Sequence, residues 1–402
     1  MSSQEIVQVQ IAKEGANFGN LGSGQRTPST SGLVFGGLSC ANPEFKAEVR
    51  MAQDQAVANR FYKRPPLKTL QQGSISFDLY LRGPGYGNGF DDPQFAVYDA
   101  LFGKQHTSNA SYTVSLWTST TQFTVSSASG LKVGQGFAVQ IGEFRHVSFI
   151  TSIIGNVIRC EPALPGTVIA AAPATIRGGR TYAVGRDFAD DSSVAFLLLR
   201  EAYQTQAFAC AGKSWELPLK TGEEATAKVG MISGYYVPLV TRTEPGETTE
   251  PEGSWLKFLN AECQINGYSR NVASCAFKLD NAPSAKKTPA NAIGAAGYEM
   301  SAPSLSATIE LSEYDDTFGD MIDDRTEFPL LATLTDQTNG NTAAIYMPRV
   351  HLTAFPEPTA IENLTGMPLE VEAGLYTGDS EDFDSASDTL AGSLLRVFFE
   401  RG

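Results

Sequence analysis

Between Thr205 and Pro238 the chain reads TQAFACAGKSWELPLKTGEEATAKVGMISGYYVP, and its apolar side chains return at every second position. Trp215, Leu217 and Leu219 form one run and Ala225, Ala227, Val229 and Met231 another, with Thr221-Gly222-Glu223 between them. A period of two sends successive side chains to opposite faces of an extended backbone, so this stretch predicts a β-hairpin and excludes an amphipathic helix. Ser214, Glu216, Lys220, Thr226 and Lys228 fill the other face, which predicts one side against a core and the other toward water or a second sheet. Pro218 has no N–H to give to a ladder and predicts an edge position for the first strand.

The same alternation recurs at Ile75, Phe77, Leu79 and Leu81, set against Ser76, Asp78 and Tyr80. Asp92-Pro93 then supplies a cap and a first-turn proline for a short helix that Gly103 stops, with Phe95, Tyr98, Leu101 and Phe102 as the stripe that seats it on the sheet. Residues 113–178 carry short apolar runs broken by Gly and Ser and no helix signal, as in QFTVSSASGLKVGQGFAVQI, and predict a small inserted β-barrel. The second half repeats the order strand, helix, strands. Leu305, Ala307, Ile309 and Leu311 alternate as Ile75 to Leu81 do, and Asp315–Asp323 is a short helix with Phe318, Met321 and Ile322 inward. Ile345–Pro348 matches the pattern of Trp215–Pro218, and Ala373–Tyr376 that of Ser233–Tyr236. The acidic run TGDSEDFDSASD (377–388) reads as a solvated loop, and Leu394–Phe399 as a last strand for its own or a neighbour's sheet.

The expected organisation is all-β with short flanking helices. A polar N-terminal arm covers 1–34, either ordering on a partner or disordered, and a first β-domain takes 35–112 and 179–240 around the insertion 113–178. The Pro/Gly/Glu-rich segment 241–254 is a linker, and 255–402 a second β-domain.

With a formal net charge of −14 the chain lacks the basic surface that holds a DNA backbone. Its five cysteines are scattered, without a CxxC pair or histidine partners, and read as small buried hydrophobes in a reducing compartment. No secretory pattern opens the chain and no apolar stretch of about 18 residues occurs, so cytoplasmic synthesis without membrane insertion is expected. Gly212-Lys213-Ser214 ends like a phosphate loop, yet Ala207 stands where that motif needs glycine. His106, His146 and His351 are isolated, and Asp315-Asp316 and Asp323-Asp324 fit helix caps better than a calcium loop. Neither a catalytic constellation nor a cofactor or metal site is expected.

SVAFLLLR (193–200), Gly212 opening a polar-alternating strand, GEEATAKVGMISGYY, and later SCAFKLDNAP (274–283) resemble the central hairpin and following strand of the tail tube proteins of long-tailed bacteriophages. The resemblance spans most of residues 35–355 and consists of strand patterns. It implies tube-type sandwich or barrel domains, two in this chain, and a structural virion protein that assembles into stacked rings of three or six chains. The implied partners are further copies of itself, other tail proteins such as tape measure and terminator, and DNA that passes through the lumen unbound. The implied location is the virion tail. Arg60, Phe61, Tyr62, Lys63 and Arg64 are the candidate contacts to a neighbouring subunit or ring. A second reading is a virion decoration or receptor-binding protein that uses the inserted barrel.

Overall fold

In the computed structural model the alternating stretches become strands of one large antiparallel sheet. The structure describes residues 6–14, 18–21, 27–52, 67–84, 89–108, 110–142, 144–184, 193–242, 255–259, 262–300, 303–336, 341–361, 364–374 and 392–400. The candidate contacts Arg60 to Arg64, most of the 241–254 linker and the acidic run 377–388 lie outside these residues.

The first half comprises β1 (Ile6–Lys13), β2 (Gly36–Gly37), β3 (Cys40–Ala52), β4 (Leu67–Tyr80), helix α1 (Pro93–Phe102) and β5 (Gly103–Thr107). The insertion follows as β6 (Ser111–Ser119), β7 (Gln122–Val125), β8 (Gly136–Ile141), β9 (Phe144–Ile154), β10 (Val157–Glu161), α2 (Gly166–Ala171) and β11 (Thr175–Arg177). The chain returns through β12 (Arg180–Val184), β13 (Val194–Arg200), β14 (Tyr203–Lys220) and β15 (Thr226–Thr241). The second half is β16 (Cys263–Ile265), β17 (Tyr268–Ser269), β18 (Val272–Asp280), β19 (Pro283–Lys287), β20 (Ala295–Met300), β21 (Ser304–Leu311), α3 (Thr317–Asp323), β22 (Phe328–Thr335), β23 (Thr342–Leu352), β24 (Thr359–Ile361), β25 (Leu364–Ala373) and β26 (Arg396–Glu400).

The two halves share one order of pairings. In the first, β1 pairs with β13, β13 with β14, β14 with β15, β15 with β4 and β4 with β3. In the second, β16 pairs with β22, β22 with β23, β23 with β25, β25 with β21 and β21 with β18. One irregularity corresponds residue for residue: β13·β14 slips at Val194/Phe196 and β22·β23 at Phe328/Leu330. The slips of β3·β4, between Ala41 and Glu44, and of β18·β21, between Val272 and Ser274, lie near each other but not at the same pair. Matching that point and following the ladders outward sets Ser233-Gly234 on Ala373-Gly374, SISFDL (74–79) on SATIEL (306–311), and Phe45-Lys46 on Phe277-Lys278. It also sets Gln10-Ile11 on Gln264-Ile265, and there a side-chain bond repeats: Gln10 Nε2 donates to Gln8 Oε1 at 2.8 Å, as Gln264 Nε2 does to Glu262 Oε1 at 2.6 Å.

The halves do not keep separate cores. β14 and β18 zip together from Ser214 opposite Asp280 to Lys220 opposite Ser274, and Trp215, Leu217, Cys275, Phe277 and Leu279 are fully buried beneath that joint. β14 is therefore interior, and the edge position expected from Pro218 is corrected. The proline is tolerated because the ladder to β15 ends at Glu216 opposite Lys228, so no partner on that side asks for its N–H.

Two further expectations change. Residues 6–13 of the supposed arm are a strand of the sheet, with Val9 and Ile11 in the core. Past its end, the buried Glu14 carboxylate accepts the N–H groups of Gly19 (2.9 Å) and Ala209 (2.8 Å) and the hydroxyl of Ser193 (2.7 Å). Ala209 is left-handed (φ 51), a strained backbone for a residue with a Cβ that the Glu14 bond helps to hold. Helix α1 has the expected caps, Asp92 accepting from Gln94 N and Gly103 left-handed at φ 72, but it is enclosed on all sides and not merely seated on the sheet. Tyr98 stacks on Phe102, and Phe102 meets Trp215 edge-on.

The insertion closes into a barrel in the order β10-β7-β6-β11-β8-β9, with Phe123, Phe137, Ile150, Ile158 and Ile176 fully buried in a core of its own. No backbone ladder fastens its outer wall to the body among the described residues; there Phe149 stacks on Tyr346 at 4.5 Å between centroids and packs against Phe398, and Gly136 N donates to the Thr181 hydroxyl at 2.9 Å. Around this contact Arg145 bonds Glu400, His146 Nδ1 lies 3.0 Å from Glu262 Oε2, and Arg349 lies 3.0 Å from Glu161.

Candidate functional site: a polar sheet face

β3, β4, β15, β14, β18, β21 and β25 are consecutive neighbours in the sheet, and their alternation buries one face and wets the other. Ile75, Phe77, Leu79, Val229, Trp215, Phe277, Leu305, Ile309 and Leu369 point to the core. Across the wet face the registers build continuous rows. Asp78, Lys228, Glu216, Lys278, Ser306 and Glu372 stand side by side on successive strands. The next row is Glu44, Ser76, Gly230, Ser214, Asp280 and Ser304, and on the opposite flank Pro218, Ala276, Thr308 and Glu370 line up.

These rows contain carboxylates, lysines and short side chains, and no arginine. Each lysine has an opposite-sign neighbour across the strand, as Lys228 Nζ has Glu216 at 3.6 Å, so its charge is matched locally. Lys46 Nζ, 2.7 Å from Glu44, holds that carboxyl below the usual range. Asn42 Nδ2 donates to Asp78 at 2.8 Å. Rows without the guanidinium fork that grips phosphate, whose lysines stand among carboxylates, repel a polyanion weakly and offer it no bidentate hold.

The residues weighed for chemistry find structural roles. At Gly212 an added Cβ would lie 2.6 Å from Leu101 Cα, so the glycine admits the C-terminal turn of α1. Asn281, fully buried, donates to the Leu101 carbonyl of that turn at 2.7 Å and to Gly212 O at 3.3 Å. Asp315 accepts from the Thr317 N–H and hydroxyl at the start of α3 and pairs with Arg270 at 2.7 Å. None of the five cysteines forms a disulfide, and Cys160, Cys210, Cys263 and Cys275 are buried, with their thiols pushed up by burial. Among the described residues no three His, Cys, Asp or Glu side chains gather as metal ligands. Among the described residues no helix is long and apolar enough to cross a membrane. Neither Glu14 nor the charged rows could be read from the chain alone, because both depend on which strands become neighbours. Set beside known proteins, the chain matches no family model and no curated protein.

Proposed function

We propose that the chain is a structural, self-assembling protein of a phage tail tube, whose rings stack around a channel for the genome. The observation that carries this reading is the repeated plan, two units joined strand to strand into one continuous sheet whose wet face carries, along the rows named above, more carboxylates than lysines and no arginine. A unit that joins its copy edge to edge within one chain has the geometry to join others between chains. A ring of six units then takes three chains, and the wet face supplies a channel wall past which a polyanion slides. The segment with Arg60 to Arg64 is the candidate grip on a neighbour. No catalytic role is assigned.

Electron microscopy of the concentrated purified protein tests this. Hollow tubes or stacked rings with three chains per ring are the expected result; a monomer at every concentration overturns it. The alternative of a decoration or receptor-binding protein draws on the barrel wall, where Leu116 (60% exposed), Thr124, Val157 and Ile154 (69% exposed) form one cross-strand row. Discrete oligomers that bind a host surface through this row would favour it.

A further inference from the structure

The equivalence of the halves carries an assignment of the joint between chains. β18 is held on both edges, by β21 and by β14. Its counterpart β3 pairs, among the described residues, with β4 alone. Among the described residues the edge of β3 therefore stands open where β18 receives β14. The counterpart of the β14 segment that β18 receives is also identifiable, as the irregular stretch 353–358 between β23 and β24. In the first half Ser214 faces Gly230 and Glu216 faces Lys228. In the second, Thr353 N donates to Glu370 O, and Glu370 is the counterpart of Gly230. Farther on, Thr359 faces Gly366, the counterpart of Thr226, and so takes the place of Pro218. Between them Ala354–Pro358 fill the place of Trp215–Leu217 with two additional residues.

The burial of the two places differs. Trp215 and Leu217 are 0% exposed, covered by Leu279 and Phe277 across the joint. Phe355, the large apolar side chain of the corresponding stretch, is 60% exposed. Phe45, the counterpart of the fully buried Phe277, is only partly buried, against Phe196. Among the described residues two aromatic side chains thus lack full cover at the two edges that the internal joint would bring together.

We propose that the open edge of β3 in one chain pairs with the Thr353–Thr359 edge of a second copy, in the register of β14 with β18, so that Phe45 of one chain and Phe355 of the other close a shared core. The assignment rests on the self-assembly reading above. It places Glu44 opposite the second copy's Thr359, as Ala276 stands opposite Pro218. Both side chains are exposed, and directly opposed residues of an antiparallel pair bring their Cβ atoms within disulfide reach.

The test uses the full-length protein with Glu44→Cys and Thr359→Cys together, each alone as control, under mild oxidation. The double variant is expected to form chains linked by a reducible disulfide, ending at a closed ring, and neither single variant to do so. Phe355→Asp is expected to raise the concentration needed for assembly at least tenfold while the monomer's circular dichroism and melting stay unchanged. Tubes that form without the cross-link, and equally well with Phe355→Asp, overturn the edge assignment and leave the tube reading standing. A protein that stays monomeric, uncross-linked and indifferent to Phe355→Asp overturns both.

Discussion

Two joints hold this molecule together, and they are built differently. The halves meet through a backbone ladder, β14 on β18, with one hydrophobic core running beneath it. The barrel meets the body mainly through side chains, an aromatic stack ringed by ion pairs, and keeps its own closed core. A shared core makes two units one cooperative structure, because neither can bury its apolar face alone. A docked unit with its own core can come away as a body, leaving exposed the surface it covered.

The sharpest way to break the first joint is Trp215→Ala. The side chain is fully buried and touches Phe102 of α1, so removal costs about 3–5 kcal/mol and lowers the single unfolding midpoint in urea for both halves together. Separate transitions for the halves would contradict the shared core. Phe149→Ala attacks the second joint, with an expected cost of about 3 kcal/mol confined to docking. Limited proteolysis should then release a folded barrel while the body stays protected. Deleting 113–178 outright should leave a folded body that aggregates, since it uncovers Tyr346 and Phe398, and replacing Phe398 with serine should restore part of its solubility.

Protons separate the two regions more finely. Burial pushes Glu400, at the dock, up to about 6, with Arg145 and Arg177 offsetting it only in part. Burial pushes Glu14, in the body, up to about 7 against its three hydrogen-bond donors. For a carboxyl raised on folding, the folded state holds the proton more tightly. Its stabilisation is complete below the unfolded value of about 4.5 and is lost as pH rises through the folded one. Hydrogen exchange, corrected for its intrinsic pH dependence, should therefore show β1 loosening as pH rises from 4.5 to 7, by roughly 3 kcal/mol. The dock should loosen between 4.5 and 6, by roughly 2 kcal/mol. Glu14→Gln should flatten the first response and Glu400→Gln the second; unchanged profiles would remove these carboxyls from the linkage. The smallest effect is expected from His146→Ala, about 1 kcal/mol of docking through the lost Glu262 contact, read by the same exchange at the barrel rim.

Period-two patterning was enough to read the hairpin 214–231 and the strands at 75–81 and 305–311, because alternation is a local property of the chain; short apolar runs broken by Gly and Ser pointed to the inserted barrel but not to its helix α2. The caps of α1 were legible for the same reason, as Asp92, Pro93 and Gly103 act on their own backbone. The repeat was legible only in part. Ala373-Gly374 falls on Ser233-Gly234, but Ile345–Pro348 matches Thr205–Phe208 and not Trp215–Pro218, since a strand pattern slides by two residues without changing its look. Only pairing fixes the register, and with it the irregularity shared by β13·β14 and β22·β23 that aligns the halves. The same holds for β1, whose polar neighbours suggested an arm, and for Pro218, whose edge signal is satisfied inside the sheet by a ladder that stops short. Alternation along the chain by itself determined that this protein is built of strands with one apolar side. Which strands become neighbours, and hence the charged rows, the shared core and the uncovered Phe355, was decided by the tertiary structure, because contacts between residues far apart in sequence leave no period behind.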